Sequence, residues 1–156
     1  MTYFLKHMLF KPPGLLSFSL LAFLLIIPIS AYADEHNAKI QWHEWSNDTF
    51  ALAEQENKLV LLDIAAQWCQ FCKKMSAVTY QDAQVIKIIN KNYIAIKADI
   101  EQSGDVQMLY GNFGVPGTII LTAEREELNK RLGYIAPQQM QWHLLGSLQD
   151  AHEDKM

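Results

Sequence analysis

The only two cysteines among 156 residues, Cys69 and Cys72, close the stretch LVLLDIAAQWCQFCKKM, which runs from Leu59 to Met75. Thiols at this spacing can exchange electrons with another disulfide, bind a soft metal or staple a turn. Their position favours the first, because a CxxC at the end of a buried strand and the start of a helix is the pattern of a redox pair. The first N–H groups of a helix have no intrahelical partner, so they point toward Cys69 and stabilise its thiolate, the nucleophilic form. Cys72, one turn further in, is expected to be the more buried and close enough to attack a mixed disulfide formed by Cys69. Lys73 and Lys74 add positive charge nearby.

The competing chemistries stay open but have less behind them. A zinc site needs a full set of ligands, and neither a second CxxC nor a spaced histidine pair accompanies this one; His36, His43, His143 and His152 are scattered. A purely structural disulfide across so short a loop would restrict the unfolded chain little. Copper delivery calls for Met or His ligands grouped with the thiols, whereas Met75 alone reads as a core residue. We therefore expect no metal and no separate cofactor.

Leu59 to Ala65 is a continuous aliphatic run, the mark of a strand covered on both faces. Before it come a short strand at Ile40 to Trp42 and a helix from Ser46, whose side chain can cap Asp48 or Thr49, ending near Asn57. A helix begins at the cysteines and continues with Met75 and Val78; after a break at Thr79 to Asp82 a second helical stretch sets Val85, Ile86 and Ile89 on one side. Tyr93 to Ala98 reads as a strand, Gly104 to Tyr110 as a short helix, Thr118 to Thr122 and Asn129 to Leu132 as strands joined by a charged turn, and Pro137 to Leu148 as a last helix with proline in its first turn. The last residues, His152 to Met156, are polar and expected to fray. This alternation predicts an α/β domain, a central mixed sheet with helices on both faces.

Residues 1–33 differ in composition. Lys6 and Lys11 are their only full charges, the apolar run from Leu15 to Ile27 is short for a spanning helix, and Ala31-Tyr32-Ala33 fits a cleavage site before Asp34. The segment reads as a secretory signal peptide, with an uncleaved anchor as the other reading. Either way residues 34–156 face an oxidising compartment, periplasmic or extracellular, and are enough for one domain. They carry 11 basic against 17 acidic residues, a net charge of −6, which gives no reason to expect nucleic acid as a partner.

Several residues around the thiols form a set: Asp63 six positions before Cys69, Trp68 directly before it, Lys97 in IAIKADI, Pro116 after Val115 in YGNFGVPG, and Gly133 in RLGY. In this order they make the chain resemble thioredoxin-fold proteins, most similarly the C-terminal domain of DsbD-type thiol:disulfide interchange proteins and their exported thioredoxin-like relatives, from Trp42 to Leu148. The resemblance implies a thioredoxin fold, with Cys69 and Cys72 as a redox-active disulfide. It also implies that Asp63 is a buried acid exchanging protons with Cys72, and that Lys97 holds its charge; the simpler readings are a strand-end acid and a solvated lysine. Pro116 would be a cis-proline facing the thiols, with the Val115 backbone and Trp68 forming a platform for an extended substrate. Trp42, Trp45 and Trp142 read as ordinary packing aromatics.

Two departures stand out. The family usually has threonine after the proline, whereas here Gly117 intervenes before Thr118, as if one inserted residue formed a bulge. A rival alignment would use FGVPG in place of YGNFG and put Ile119 at the proline's position.

These residues and the resemblance lead to an exported protein disulfide oxidoreductase, monomeric, acting on protein thiols or disulfides of the cell envelope. The uncharged Gln70 and Phe71 between the cysteines give no extra thiolate stabilisation. That favours a reductant, which in an oxidising compartment needs a membrane thiol reductase as electron donor. The alternative is a non-catalytic module that holds a peptide or assembling partner, its CxxC permanently oxidised.

Overall fold

The computed structural model describes residues 38–153. The signal segment expected at 1–33, its cut before Asp34 and the chain end at 154–156 lie outside the described residues.

The aliphatic run becomes strand β2 (Leu59–Ala65), in which Val60 to Ile64 are all buried. It lies at the centre of a five-stranded sheet ordered β1-β3-β2-β4-β5, with β1 at Trp42–His43, β3 at Tyr93–Asp99, β4 at Gly117–Leu121 and β5 at Glu127–Leu132. The β1/β3 and β2/β3 pairs are parallel, whereas β2/β4 and β4/β5 are antiparallel. This is the mixed sheet the sequence predicts.

Because side chains alternate along a strand, β2 feeds two cores. Val60, Leu62 and Ile64 meet Phe50 and Ala53 of helix α1 (Asn47–Gln55) and Val106 of a short helix, α4 (Gly104–Tyr110). Leu61, with Ala95 and Ile120 from its neighbours, meets Met75 of α2 (Gln70–Ala77), Val85, Ile86 and Ile89 of α3 (Ala83–Asn92), and Met140 and Leu144 of α5 (Pro137–Glu153). Helices thus cover both faces.

Local chemistry explains most boundaries. Ser46 caps α1 by accepting the Thr49 N–H at 3.2 Å. The helix stops at Gln55, before the expected Asn57, because Asn57 turns left-handed (φ 50°) and the Lys58 N–H folds back to the Ala53 carbonyl at 2.9 Å. The break between the two middle helices is a 3-10 turn at Thr79–Gln81, and Asp82 then caps α3 by accepting the Gln84 and Val85 N–H groups, each at 3.0 Å. Val78 ends α2 as an exposed residue and does not extend its apolar face.

Four other elements are displaced from their expected places. β1 lies at Trp42–His43, two residues paired with Ala95 and Ile96, while Ile40 is buried in the core instead. β4 and β5 both start earlier than expected, and α5 continues past Leu148 through His152 to Glu153.

Candidate redox site

The site is built where β2 ends and α2 begins. Cys69 is the N-cap of α2, in extended conformation, and its Sγ accepts the Cys72 N–H at 3.0 Å. The two cysteines form a disulfide with Cα atoms 5.3 Å apart. They are equally buried, at 5% and 6% exposure, which corrects the expectation that Cys72 lies deeper. The two cysteines share one apolar collar of Ala65, Ala66, Ile100 and Val115. Around them the surface is aromatic: Trp68 and Phe71 are 64% and 61% exposed, and the Trp68 indole N–H donates to Glu101 Oε1 at 3.1 Å. Lys74 places its ammonium 4.4 Å from the centre of the Tyr134 ring.

The antiparallel course of β4 brings its start to the end of β2, with Gly117 opposite Ile64. The Val115–Pro116 peptide directly before it is cis. The Pro116 carbonyl accepts the Gly133 N–H at 2.8 Å, which ties this loop to the end of β5. The rival alignment fails, because Ile119 lies fully buried inside β4 opposite Leu62. The bulge expected at Gly117 is absent: Gly117 pairs in register with Leu132, and the irregularity of this hairpin falls between Ile120 and Leu121. Glycine at 117 answers to crowding, since a Cβ there would stand 3.1 Å from both the Gly114 carbonyl oxygen and Phe113 Cδ1.

Behind the disulfide the sheet carries a polar row. Register places Asp63 between Lys97 on β3 and Thr118 on β4, all on the α2 side. Asp63 is 3% exposed. Its Oδ2 lies 3.6 Å from Lys97 Nζ, and its Oδ1 accepts the Tyr80 hydroxyl at 3.2 Å. Burial pushes its carboxyl up to about 6, against the Lys97 charge and the Tyr80 hydrogen bond, which both pull it down. The acid is therefore poised to gain or lose a proton near neutrality. Lys97 in turn donates to Ser76 Oγ at 2.8 Å and lies 5.3 Å from the Trp42 ring centre. Trp42 packs edge-on against Tyr80, with centroids 5.0 Å apart.

The predicted catalytic and substrate-binding residues thus gather at one end of β2: Cys69, Cys72, Trp68, Val115 and Pro116 about the disulfide, of which Trp68 alone is exposed, and Asp63 and Lys97 on the strands behind. Tyr80, Ser76 and Trp42 were not foreseen. Tyr80 reads from the sequence as part of a helix break and gains its polar partner because the 3-10 turn sets its hydroxyl against Asp63; Trp42, which reads as ordinary packing, meets the Tyr80 ring and the Lys97 ammonium. An open groove of about 730 Å³ runs from Trp42 and His43 past Lys97 and Ser76 to Cys72. Among the described residues, His, Cys, Asp and Glu side chains form no group of three that could hold a metal ion. Among the same residues no helix is long and apolar enough to cross a membrane.

Comparison with known proteins agrees with this geometry. A thioredoxin from Thermus thermophilus superimposes with a TM-score of 0.62 at 16% identity, over 70% of this chain and 88% of that one, which shows the thioredoxin fold. An uncharacterized protein of Caenorhabditis elegans is 32% identical over 104 residues, 61% of this chain and 14% of its own length. The thiol:disulfide interchange protein DsbD of Neisseria meningitidis is 29% identical over 97 residues, 60% of this chain and 16% of its own length. The chain therefore spans only a small part of the curated relatives it matches. The model of one family, Thioredox_DsbH, described as a protein of unknown function (DUF255), matches residues 24–148. With its thioredoxin fold, its DsbD-related sequence and its paired cysteines, the chain belongs to the Thioredox_DsbH family.

Proposed function

We propose that this protein is an exported thiol:disulfide oxidoreductase that reduces protein disulfides in the cell envelope. The observation that carries the reading is the Cys69–Cys72 disulfide at the start of α2, with the cis Val115–Pro116 loop beside it and Asp63 behind. In the reduced state the Cys69 thiolate, stabilised by the helix N-terminus, attacks a client disulfide and expels one client thiolate. The resulting mixed disulfide is resolved when Cys72 gives its proton to Asp63 and its thiolate attacks Cys69 Sγ. The second client sulfur leaves as a thiolate, and the chain ends with the disulfide seen here. Val115 and Pro116 line up the client segment, and Trp68 flanks it. Lys97 keeps the Asp63 carboxylate from being prohibitively unfavourable in its buried setting. A dithiol donor in the membrane then returns two electrons to the pair.

The direction of electron flow rests on Gln70 and Phe71, which bring no charge to the thiolate, and on Lys74, whose ammonium is engaged with the Tyr134 ring. Export rests on the basic start and short apolar run of residues 1–33. The purified domain should accelerate the reduction of insulin by dithiothreitol. Equilibration with glutathione buffers should give a reduction potential below about −200 mV, nearer the roughly −270 mV of thioredoxin than the roughly −120 mV of a strong oxidant. No acceleration would leave a non-catalytic binding module; a potential above about −150 mV would make the protein an oxidant.

A further inference from the structure

The two oxygens of Asp63 have unlike surroundings. Oδ1 accepts the Tyr80 hydroxyl at 3.2 Å, and Tyr80 is itself buried and braced against Trp42. Oδ2 faces Lys97, which is partly exposed, bonds to Ser76 and lines the groove that reaches Cys72. One oxygen is thus held by a buried, neutral donor, while the other lies beside Lys97, which lines the groove. A lone carboxyl in such a site could rotate and present either oxygen; a hydrogen bond that favours the charged form removes this freedom and makes deprotonation easier.

We propose that Tyr80 is a positioning residue for thiol exchange: its hydroxyl anchors Asp63 Oδ1, so that Oδ2, beside Lys97 and Ser76, is the oxygen that trades protons with Cys72 and the groove. This rests on the reading of Asp63 as the proton acceptor for Cys72. The groups bearing on the carboxyl from neighbouring elements are Lys97 of β3 and Tyr80 of the 3-10 turn, and α2 contributes Ser76 through its bond to Lys97. From β4 comes the non-titrating Thr118; Arg131 of β5 stands one strand further along the row, where it acts on His143 of α5. Of these, Tyr80 is the neutral group whose hydroxyl donates to the acid, so its removal changes the carboxyl's proton affinity without changing the local charge.

Tyr80→Phe keeps the ring that packs on Trp42 and deletes only the hydroxyl. The Asp63 carboxyl carbon, followed by carbon-13 NMR in the oxidised protein, should then titrate about one pH unit higher than in the wild type. The midpoint of the pH profile for resolving a preformed mixed disulfide should rise in parallel, while the plateau rate at high pH stays within about twofold. Replacing Tyr80 with 3-fluorotyrosine, a stronger donor of nearly the same shape, should move the titration downward and serves as the second arm if the phenylalanine variant folds poorly. Unchanged Asp63 titration in both variants would overturn the proposal, as would a shifted titration with an unmoved pH profile. A wild type that accelerates no disulfide exchange would remove the oxidoreductase reading itself, a separate result, because the carboxyl titration needs no turnover.

Discussion

The two faces of the sheet are built from alternate residues of the same strands, yet they differ in kind. On the α1 and α4 side, β2 contributes Val60, Leu62 and Ile64 to a cluster completed by aliphatic residues of β3 and β4. On the α2, α3 and α5 side, the same strand contributes Leu61 and then Asp63; Thr79, Tyr80, Thr118 and His143 are buried on elements of this side too. The difference teaches how one strand serves two ends. A period of two lets a hydrocarbon layer hold β2 rigidly from below while the residue between two anchors carries a titratable group above.

The largest expected effect is on the hydrocarbon side. Leu62→Ala should destabilise the fold by about 2–5 kcal/mol, since Leu62 is fully buried and leaves a cavity. The midpoint of its activity-pH profile should remain at the wild-type position wherever the variant is folded. A moved midpoint in urea-titrated, pH-scanned samples would mean that the two faces are not separable.

Asp63→Asn should do the reverse, raising stability while slowing exchange by roughly ten- to a thousandfold. Between the ordinary value of 3.8 and the folded value of about 6, the folded carboxyl keeps a proton that the unfolded chain has released. Wild-type stability therefore falls as pH rises through that window, and the asparagine variant, with nothing to titrate there, does not follow. The gap between the two should grow from near zero at pH about 4 to on the order of 3 kcal/mol above pH about 6. Parallel stability curves across the window would show that Asp63 is not held protonated by the fold.

The smallest effect lies away from both faces. Gly146 sits on the exposed side of α5, and a Cβ added there meets nothing within 4 Å. Gly146→Ala should add about 0.5–1 kcal/mol through helix propensity alone, with redox behaviour untouched. Thermal unfolding alongside insulin reduction checks both halves; a change in turnover would tie α5 to the chemistry.

What the sequence made legible was whatever is encoded over a few residues. The LVLLDIA run announced a buried central strand, the acid inside it announced itself as costly, and the cysteines sat where a strand hands over to a helix. Asp63 and Lys97 lie 34 positions apart in the chain, yet they pair in register because β2 and β3 are parallel neighbours of equal length. Tyr80 resisted prediction for the opposite reason: a 3-10 turn has no hydrophobic periodicity, and nothing in TYQD says which strand it covers. Likewise Ser76 is one polar residue on a mixed helix, and only the Lys97 ammonium at its hydroxyl distinguishes it. The equal burial of the two cysteines is invisible to helix position, because it comes from a collar that includes Ile100 and Val115, distant in the chain.

The pairing of Ile64 with Gly117 spans 53 positions, whereas Cys69 and Cys72 are separated by 3. In a growing or refolding chain the thiols can therefore meet long before the β2–β4 ladder exists, because short loops close fast and distant strand pairs close late. An oxidised but unfolded chain would possess the bond without the surface that selects what may attack it. On the proposed function, client discrimination would thus be a property of long-range topology that arrives last, and a half-folded molecule would trade disulfides only indiscriminately.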